Sequence, residues 1–352
     1  MRLHSNDFRI PLEHGHSLFA REVTKTPRDS VSGDTPGACS SSSPLSSEDV
    51  QPAVIVIVVH GGPGLNSHEE SYDGIKNLLL DWNDKTKPPA SSDGTATSGE
   101  YFKWINAIVF YDQLGCGCSE GPPLPPGEED KAETTETPGL YSLSYYVLEL
   151  QQVIQSIRLR YEGTPTKRIC VLGHSWGGQV VLEYLLGGRH QASKDSSSSS
   201  SIDCAIISNT PLNEATYAQR QQEIRNALPN DVRAFLEQDD QQQASNDSVP
   251  SKIYHKLIGQ SETDITGEMA GWDALQRLPE LSLPCLFITG TNDTIQYKEY
   301  EQLCGLPNPP QVLILEGGEH GPFYGATAPH YFRAIQRFLE HVSTGGSALE
   351  AP

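Results

Sequence analysis

The sequence predicts an α/β fold in which a mostly parallel central sheet carries helices on both faces. Short runs of apolar, often β-branched residues alternate along the chain with stretches of helical periodicity. Almost continuous apolarity is typical of strands that are covered on both faces, as they are in a parallel sheet. We expect six such strands, at residues 53–59, 105–110, 169–172, 204–207, 285–288 and 312–315. Their alternation with helices is the pattern of a doubly wound domain.

The helical stretches between these strands are of two kinds. Residues 145–159 and 331–342 repeat apolar side chains every three to four positions, which predicts helices packed against the sheet. Residues 212–275 are rich in Gln, Asp and Glu and separate the fourth predicted strand from the fifth. We expect this third stretch to form a helical cap over the carboxyl edge of the sheet, where ligands of such folds bind.

The cap divides the chain into parts. We expect the core to consist of residues 1–211 and 276–343, the cap of residues 212–275, and a disordered tail of residues 344–352. Polar, low-complexity stretches cannot bury enough apolar surface to order themselves. We therefore predict surface loops near residues 24–51, 85–99, 121–138 and 191–201.

The composition indicates a soluble globular protein and excludes several partners. The formal net charge is −20, and no cluster of basic residues could meet the phosphates of a nucleic acid. The longest apolar run, at residues 53–59, is far too short to span a membrane. The first residues lack the apolar core of a signal peptide, so we expect a cytoplasmic protein. The sequence does not indicate an oligomeric state.

The cysteines do not suggest a metal or redox centre. There are seven, without the spacing of a disulfide framework, so we expect reduced thiols. The segment Cys116-Gly117-Cys118 has no second cysteine pair to complete a metal site, and its neighbouring glycines favour a turn. We therefore expect neither a metal nor a cofactor.

The segment 173–178, GHSWGG, is the strongest candidate for chemistry. It stands where the predicted strand 169–172 gives way to an amphipathic stretch, residues 179–186. A G-x-S-x-G pattern between a strand and a helix predicts a nucleophile elbow, a tight turn that holds a serine hydroxyl clear of the fold. The nucleophile would be Ser175.

A serine nucleophile needs a base, and the base needs an acid that fixes its tautomer. Asp293 and His320 each follow a predicted strand in a glycine-rich turn, and the chain order Ser, Asp, His is the one this kind of fold uses. His174 and His60 are weaker candidates for the base, because each fits a structural role beside a turn. Asp112 precedes the elbow and fits a loop-bracing role better than the role of the acid.

Hydrolysis also needs donors for the oxyanion. The segment 60–64, HGGPG, directly follows the predicted strand 53–59, and its glycines let the backbone approach a substrate closely. In this fold the second oxyanion donor comes from a loop after an early strand. We expect the N–H groups of Gly62 and Trp176 to form the oxyanion hole.

Three segments together carry a family resemblance. HGGPG at residues 60–64, DQLGCGCS at residues 112–119 and GHSWGG at residues 173–178 closely resemble the motifs of the proline iminopeptidase family of α/β-hydrolases. The similarity extends over about residues 8–342. It implies an α/β-hydrolase fold and a metal-free serine aminopeptidase or amino-acid amidase. It also implies the same roles for the serine, aspartate, histidine and oxyanion residues named above.

The resemblance further implies where the substrate's free amine binds. In this family, acids of the cap bind the α-ammonium, and Glu262 resembles one such position. The chain departs from the family pattern at Thr294, where some members carry an acid after the catalytic aspartate. Its cap also looks shorter between about residues 213 and 256, with polar residues 238–248 where further helix would be expected. These departures leave the preference for proline open.

The predicted function is hydrolysis of a small peptide or aminoacyl amide. The enzyme would release an N-terminal amino acid, proline or another small or apolar residue, through an acyl-enzyme. Two alternatives remain: a hydrolase of esters, thioesters or amides in a small-molecule pathway, and a non-catalytic protein that uses the cap cavity for a ligand.

Overall fold

The computed structural model of the protein describes residues 2–13, 15–26, 53–82, 102–122, 139–164, 168–187, 201–244 and 246–345. Most of the predicted loops, near residues 24–51, 85–99, 121–138 and 191–201, lie outside the described residues, as does most of the predicted tail, residues 344–352.

An eight-stranded sheet forms the centre of the molecule, and its strands in spatial order are residues 2–11, 17–26, 105–111, 54–59, 168–174, 204–208, 285–290 and 311–315. The six strands expected from the sequence are present and parallel to one another. They are β3 (Val54–Val59), β4 (Ile105–Tyr111), β5 (Arg168–His174), β6 (Cys204–Ser208), β7 (Cys285–Gly290) and β8 (Gln311–Leu315). The predicted mostly parallel sheet is confirmed.

The first two strands were not expected. β1 (Arg2–Pro11) and β2 (Ser17–Thr26) form an antiparallel hairpin, and β2 pairs antiparallel with β4. The loop predicted from residue 24 is therefore wrong for residues 24–26, which belong to β2. The hairpin lies at the edge of the sheet and buries few apolar residues, such as Ile10, Leu18 and Val23. It consequently lacks the continuous apolar run by which the parallel strands are recognised.

Helices cover both faces of the sheet. Along β3, Ile55, Ile57 and Val59 belong to one apolar cluster, which includes residues of α2 (Leu143–Arg160), α3 (Trp176–Leu186) and α7 (Tyr297–Leu303). The alternate residues Val54, Val56 and Val58 belong to a second cluster, which includes residues of α1 (Glu69–Ile75) and α8 (Ala328–Thr344). Because successive side chains of a strand point to opposite faces, both clusters need apolar residues from the same strand. This explains the continuous apolar runs.

The cap lies between β6 and β7, after the fourth parallel strand, as predicted. It consists of α4 (Glu214–Ala227), α5 (Asn230–Ala244), α6 (Val249–Leu257) and the segment that leads to β7. The expectation that residues 238–248 lack helix is wrong through residue 244. Gln and Ala are good helix formers, so the polar composition of this stretch marks exposure to solvent rather than a loop.

The helices of the cap are also too polar to suggest a membrane segment. Within the described residues, no helix is both long enough and apolar enough to cross a membrane.

Candidate active site

Ser175 lies in a tight turn between the last residue of β5 and the first residue of α3. Its backbone has φ 55° and ψ −127°, a conformation that L-residues rarely adopt and that functional sites often contain. The turn packs closely on the end of β3, since a Cβ added to Gly177 would collide with the carbonyl oxygen of Val59. The geometry holds the Ser175 side chain at the carboxyl edge of the sheet.

His320 and Asp293 reach Ser175 from two neighbouring strand ends. His320 Nε2 lies 3.1 Å from Ser175 Oγ, and His320 Nδ1 lies 2.9 Å from Asp293 Oδ1. Asp293 follows β7 and His320 follows β8, so all three residues stand at the edge where parallel strands end. The Asp293 side chain is buried, whereas 42% of the His320 side chain is exposed. The structure thus brings the three predicted residues into one hydrogen-bonded chain.

The Asp293 carboxylate is surrounded by donors. Its Oδ2 accepts a 2.6 Å hydrogen bond from the side chain of Asn209, and its Oδ1 accepts a 3.1 Å bond from the Ile295 N–H. Burial raises the pKa of Asp293, but the hydrogen bonds from His320 and Asn209 outweigh it and hold the pKa below its ordinary value. Asp293 is therefore ionised at neutral pH.

His320 has the electrostatic environment of a base. Burial lowers its pKa, but the hydrogen bond to Asp293 and the charge of that carboxylate more than offset this effect. The carboxylates of Glu262 and Glu70 raise the pKa further, which leaves it above its ordinary value. A histidine whose protonated form is stabilised in this way can accept a proton from a neighbouring hydroxyl.

His174, the other histidine beside Ser175, supports the His320 loop. Its Nε2 lies 2.8 Å from the backbone oxygen of His320. A carbonyl oxygen can only accept, so Nε2 carries the proton. Burial lowers the pKa of His174 to about 3, and the ring is neutral. His174 therefore lies beneath the turn and holds the His320 backbone.

The HGGPG loop runs beside the elbow. A Cβ added to Gly61 would lie 3.4 Å from Ser175 Cβ, and one added to Gly62 would lie 3.6 Å from Trp176 Cδ1. Gly62 has φ 140°, a conformation that favours glycine. Trp176 is the first residue of α3, where a backbone N–H has no acceptor within the helix. The two N–H groups predicted to bind an oxyanion belong to residues that are neighbours at Ser175.

Two residues of the cap, Glu262 and Glu214, carry hydrogen-bonded carboxyl groups. Glu262 Oε2 accepts a 2.7 Å hydrogen bond from the Tyr217 hydroxyl. Glu214, the first residue of α4, is buried and accepts a hydrogen bond from the Gln179 side chain. Glu214 Oε2 has no hydrogen-bond partner among the described residues. Burial and the charge of Glu262 raise the pKa of Glu214 to about 7.

Thr294 lies beside Asp293, the residue predicted to be the acid. Its hydroxyl is 3.4 Å from Asp293 Oδ1. The side chain thus faces the same carboxylate that His320 binds.

The described residues contain no group of three or more His, Cys, Asp and Glu side chains arranged to hold a metal ion. Cys116 is buried and Cys118 is exposed, in a turn of the loop after β4. The loop is held instead by Asp112, whose Oδ1 accepts a 2.7 Å hydrogen bond from the His68 N–H and whose Oδ2 accepts a 2.8 Å bond from the Cys118 N–H.

The fold has counterparts among known proteins. Residues 56–335 match the model of the alpha/beta hydrolase family. This chain belongs to that family. A proline iminopeptidase of Heyndrickxia coagulans is 24% identical to this α/β hydrolase over 318 residues, 82% of this chain and 91% of the relative. One from Thermoplasma volcanium is 21% identical over 316 residues, 78% of this chain and 98% of the relative.

Solved structures agree with the family assignment. The proline iminopeptidase of Mycobacterium smegmatis has a TM-score of 0.59 with this α/β hydrolase at 19% identity, with 97% of this chain and 99% of the other covered. VinJ has a TM-score of 0.61 at 16% identity, with 96% and 99% covered. The predicted resemblance to proline iminopeptidases and the predicted fold are both confirmed.

Two residues of the site were missed in the sequence. Asn209 directly follows β6, so its place at the carboxyl end of a strand is a signal that could have identified it. Glu214 gave no such signal, because an acid at the start of a helix is common for reasons of the helix dipole alone. Only the three-dimensional structure shows that its carboxyl group is buried.

Proposed function

We propose that this α/β hydrolase is a serine aminopeptidase that releases the N-terminal amino acid of a small peptide or aminoacyl amide. The observation that carries the proposal is the hydrogen-bonded chain from Ser175 Oγ to His320 Nε2 and from His320 Nδ1 to Asp293, at 3.1 and 2.9 Å. A serine, its base and an ionised acid in this arrangement are the requirements of acyl transfer.

In the proposed reaction, Ser175 Oγ attacks the carbonyl carbon of the N-terminal residue while its proton passes to His320 Nε2. The Asp293 carboxylate stabilises the imidazolium that forms. The N–H groups of Gly62 and Trp176 bind the negative oxygen of the tetrahedral intermediate. Collapse of the intermediate breaks the amide bond, and the departing amine takes the proton from His320. Water then attacks the Ser175 ester with His320 as base, which releases the amino acid and restores the serine hydroxyl.

The cap acids supply the selectivity for a free amine in this proposal. An ammonium group bound between Glu262 and Glu214 would give Glu214 Oε2 the partner that it lacks among the described residues. A hydrogen bond between charged groups contributes about 1.5–3 kcal/mol. The negative charge of the whole chain, −20, also favours the approach of a cationic substrate. Thr294 would border this site without contributing a charge.

The names of the relatives support the same conclusion. The similar proteins from Heyndrickxia coagulans and Thermoplasma volcanium are proline iminopeptidases. Proline is consequently the first residue to test, together with alanine and other small apolar residues.

The test is the hydrolysis of aminoacyl-naphthylamides by the wild-type protein and by Ser175→Ala. We expect the variant to lose turnover and labelling by a fluorophosphonate probe while its thermal unfolding is unchanged. Turnover that survives in Ser175→Ala would refute the mechanism. Absence of labelling in the wild-type protein would favour a non-catalytic ligand-binding protein.

A second comparison separates the aminopeptidase from a hydrolase of small-molecule esters, thioesters or amides. An aminopeptidase should reject N-acetyl-prolyl-naphthylamide and accept prolyl-naphthylamide, because the acetyl group removes the ammonium. Equal rates on the two compounds would favour the small-molecule hydrolase.

A further inference from the structure

Gln113 connects the two segments that carry the proposed oxyanion donors. It lies in the loop after β4 and is buried. Its side-chain Nε2 donates a 3.1 Å hydrogen bond to the backbone oxygen of His60, at the start of the HGGPG loop. Its Oε1 accepts a 2.9 Å hydrogen bond from the indole Nε1 of Trp176, at the start of α3. One side-chain amide thus joins the loop to the elbow.

The backbone of Gln113 acts on the same loop by a second route. Its N–H donates a 3.0 Å hydrogen bond to His60 Nε2. A ring nitrogen that accepts a hydrogen bond carries no proton, so the proton of the neutral ring is on Nδ1. Burial lowers the pKa of His60 to about 4, so the ring is neutral at pH 7. His60 Nδ1–H therefore donates its 2.6 Å hydrogen bond to the backbone oxygen of Gly61.

That hydrogen bond orients the peptide whose nitrogen belongs to Gly62. The C=O of Gly61 and the N–H of Gly62 are parts of one planar trans peptide group, in which the two bonds point in opposite directions. Holding the Gly61 oxygen toward the His60 ring consequently turns the Gly62 N–H away from it. Gly62 has a φ of 140° in this orientation, and a glycine permits this angle.

We propose that Gln113 and His60 are positioning residues of the oxyanion hole: Gln113 fixes the tautomer of His60, His60 orients the Gly61–Gly62 peptide, and the Gln113 side chain holds Trp176 in register with that peptide. The inference rests on the proposed function, because it takes Gly62 and Trp176 as the oxyanion donors. Neither Gln113 nor His60 contacts the reacting atoms in this account.

The loop that carries Gln113 is itself held on both sides. The preceding residue, Asp112, binds two backbone N–H groups and the His68 ring. The N–H of the next residue, Leu114, donates a 2.9 Å hydrogen bond to the Glu149 side chain, and the backbone oxygen of Leu114 accepts a 3.1 Å hydrogen bond from the Tyr146 hydroxyl. Gln113 therefore stands on a rigid support, as a residue that positions a catalytic group must.

Two variants remove the connection in different places. Trp176→Phe deletes the indole N–H but keeps the backbone N–H of residue 176. Gln113→Met keeps the length of the side chain but removes its donor and acceptor. Trp272→Phe in the cap is the matched control, since the Trp272 indole also donates a 2.9 Å hydrogen bond to a side-chain oxygen, that of Glu183 in α3.

The measurements are kcat and KM on an aminoacyl-naphthylamide, the affinity for the corresponding α-aminoboronic acid (the boronate), and thermal unfolding. We expect Gln113→Met to lower kcat by about 10- to 100-fold with a nearly constant KM, because displaced catalytic groups act on the transition state. The boronate, which forms a tetrahedral adduct, should lose affinity by about the same factor as kcat/KM. Trp272→Phe should leave both within about twofold.

A combined variant tests whether the two residues act together. Trp176→Phe should add little to the loss in Gln113→Met, because both changes break one connection. Unchanged kcat and boronate affinity in both single variants would overturn the inference, as would equal losses in Trp272→Phe. If Gln113→Met does not fold, Trp176→Phe alone decides. The proposed function fails separately, namely if the wild-type protein shows no turnover and no labelling at Ser175.

Discussion

The edge of the core that holds Ser175 and the helical cap are built in contrasting ways. At the core edge, Asp293 is buried and receives hydrogen bonds from four other residues. In the cap, α4 buries only Glu214 among its described residues, and α5 buries none of the side chains described at residues 230–242. The predicted acid of the core edge is therefore held by several hydrogen bonds, whereas the outer helices of the cap bury almost none of their side chains.

The attachment of the cap shows the same contrast. Trp272 and Arg277, in the segment after α6, both bind the Glu183 side chain of α3. α6 contributes buried Ile253 and Leu257 to the core. The outer helices α4 and α5 are joined by the ion pair of Arg225 and Asp240, at 2.5 Å. Both side chains of this pair are partly exposed to solvent. Solvent screening leaves such a pair a small contribution to stability, at most about 1 kcal/mol, so we expect the cap to vary more readily than the core.

The largest expected effect comes from the acid of the core. Asp293→Asn should lower kcat by about 10⁴-fold, because an amide can donate to His320 Nδ1 and so favour the wrong tautomer. Asp240→Asn is the matched change in the cap and should leave kcat within about twofold. Steady-state kinetics on prolyl-naphthylamide check both. Similar losses in the two variants would erase the contrast between core and cap.

The second effect concerns stability. Phe287 is fully buried in β7, whereas Phe235 of α5 is 66% exposed. Phe287→Ala should lower the free energy of unfolding by about 3–5 kcal/mol, and Phe235→Ala should change it by less than about 0.5 kcal/mol. Urea denaturation measures both values. A large loss in Phe235→Ala would mean that α5 packs against more of the protein than its exposure indicates.

The third effect depends on pH. Burial raises the pKa of folded Glu214 to about 7 from 4.5, so the folded state binds this proton more tightly than the unfolded state. At low pH the carboxyl group is protonated in both states and does not lower the free energy of unfolding. As the pH rises from 4.5 to about 7, the free energy of unfolding falls, because the buried carboxyl group resists ionisation in the folded state. Glu214→Gln should therefore be the more stable protein near pH 8, by at most about 3 kcal/mol.

The matched control for that change is Glu237→Gln, on the exposed side of α5. Urea denaturation of both variants near pH 5 and pH 8 tests the linkage. If the difference in free energy of unfolding between Glu214→Gln and the wild-type protein does not grow from pH 5 to pH 8, the ionisation of the buried carboxyl group does not destabilise the fold.

The sequence allowed the arrangement of the core to be predicted, because parallel strands end at one edge. Ser175, Asp293 and His320 each follow an apolar run, and that placement alone brings them within reach of one another. The hairpin of β1 and β2 could not be recognised in this way, since an edge strand needs few apolar residues. The cap was harder still. Solvent exposure allows the second half of α5, residues 237–243, to be polar, so its composition resembles that of a loop.

The measurement that tests the division between core and cap most directly uses Glu262→Gln and two substrates. Prolyl-naphthylamide carries an ammonium, and p-nitrophenyl acetate does not. We predict that the variant loses about 10- to 100-fold in kcat/KM on the first, the value of one charged hydrogen bond, and keeps its rate on the second. An equal loss on both substrates, or no loss on either, would contradict the account.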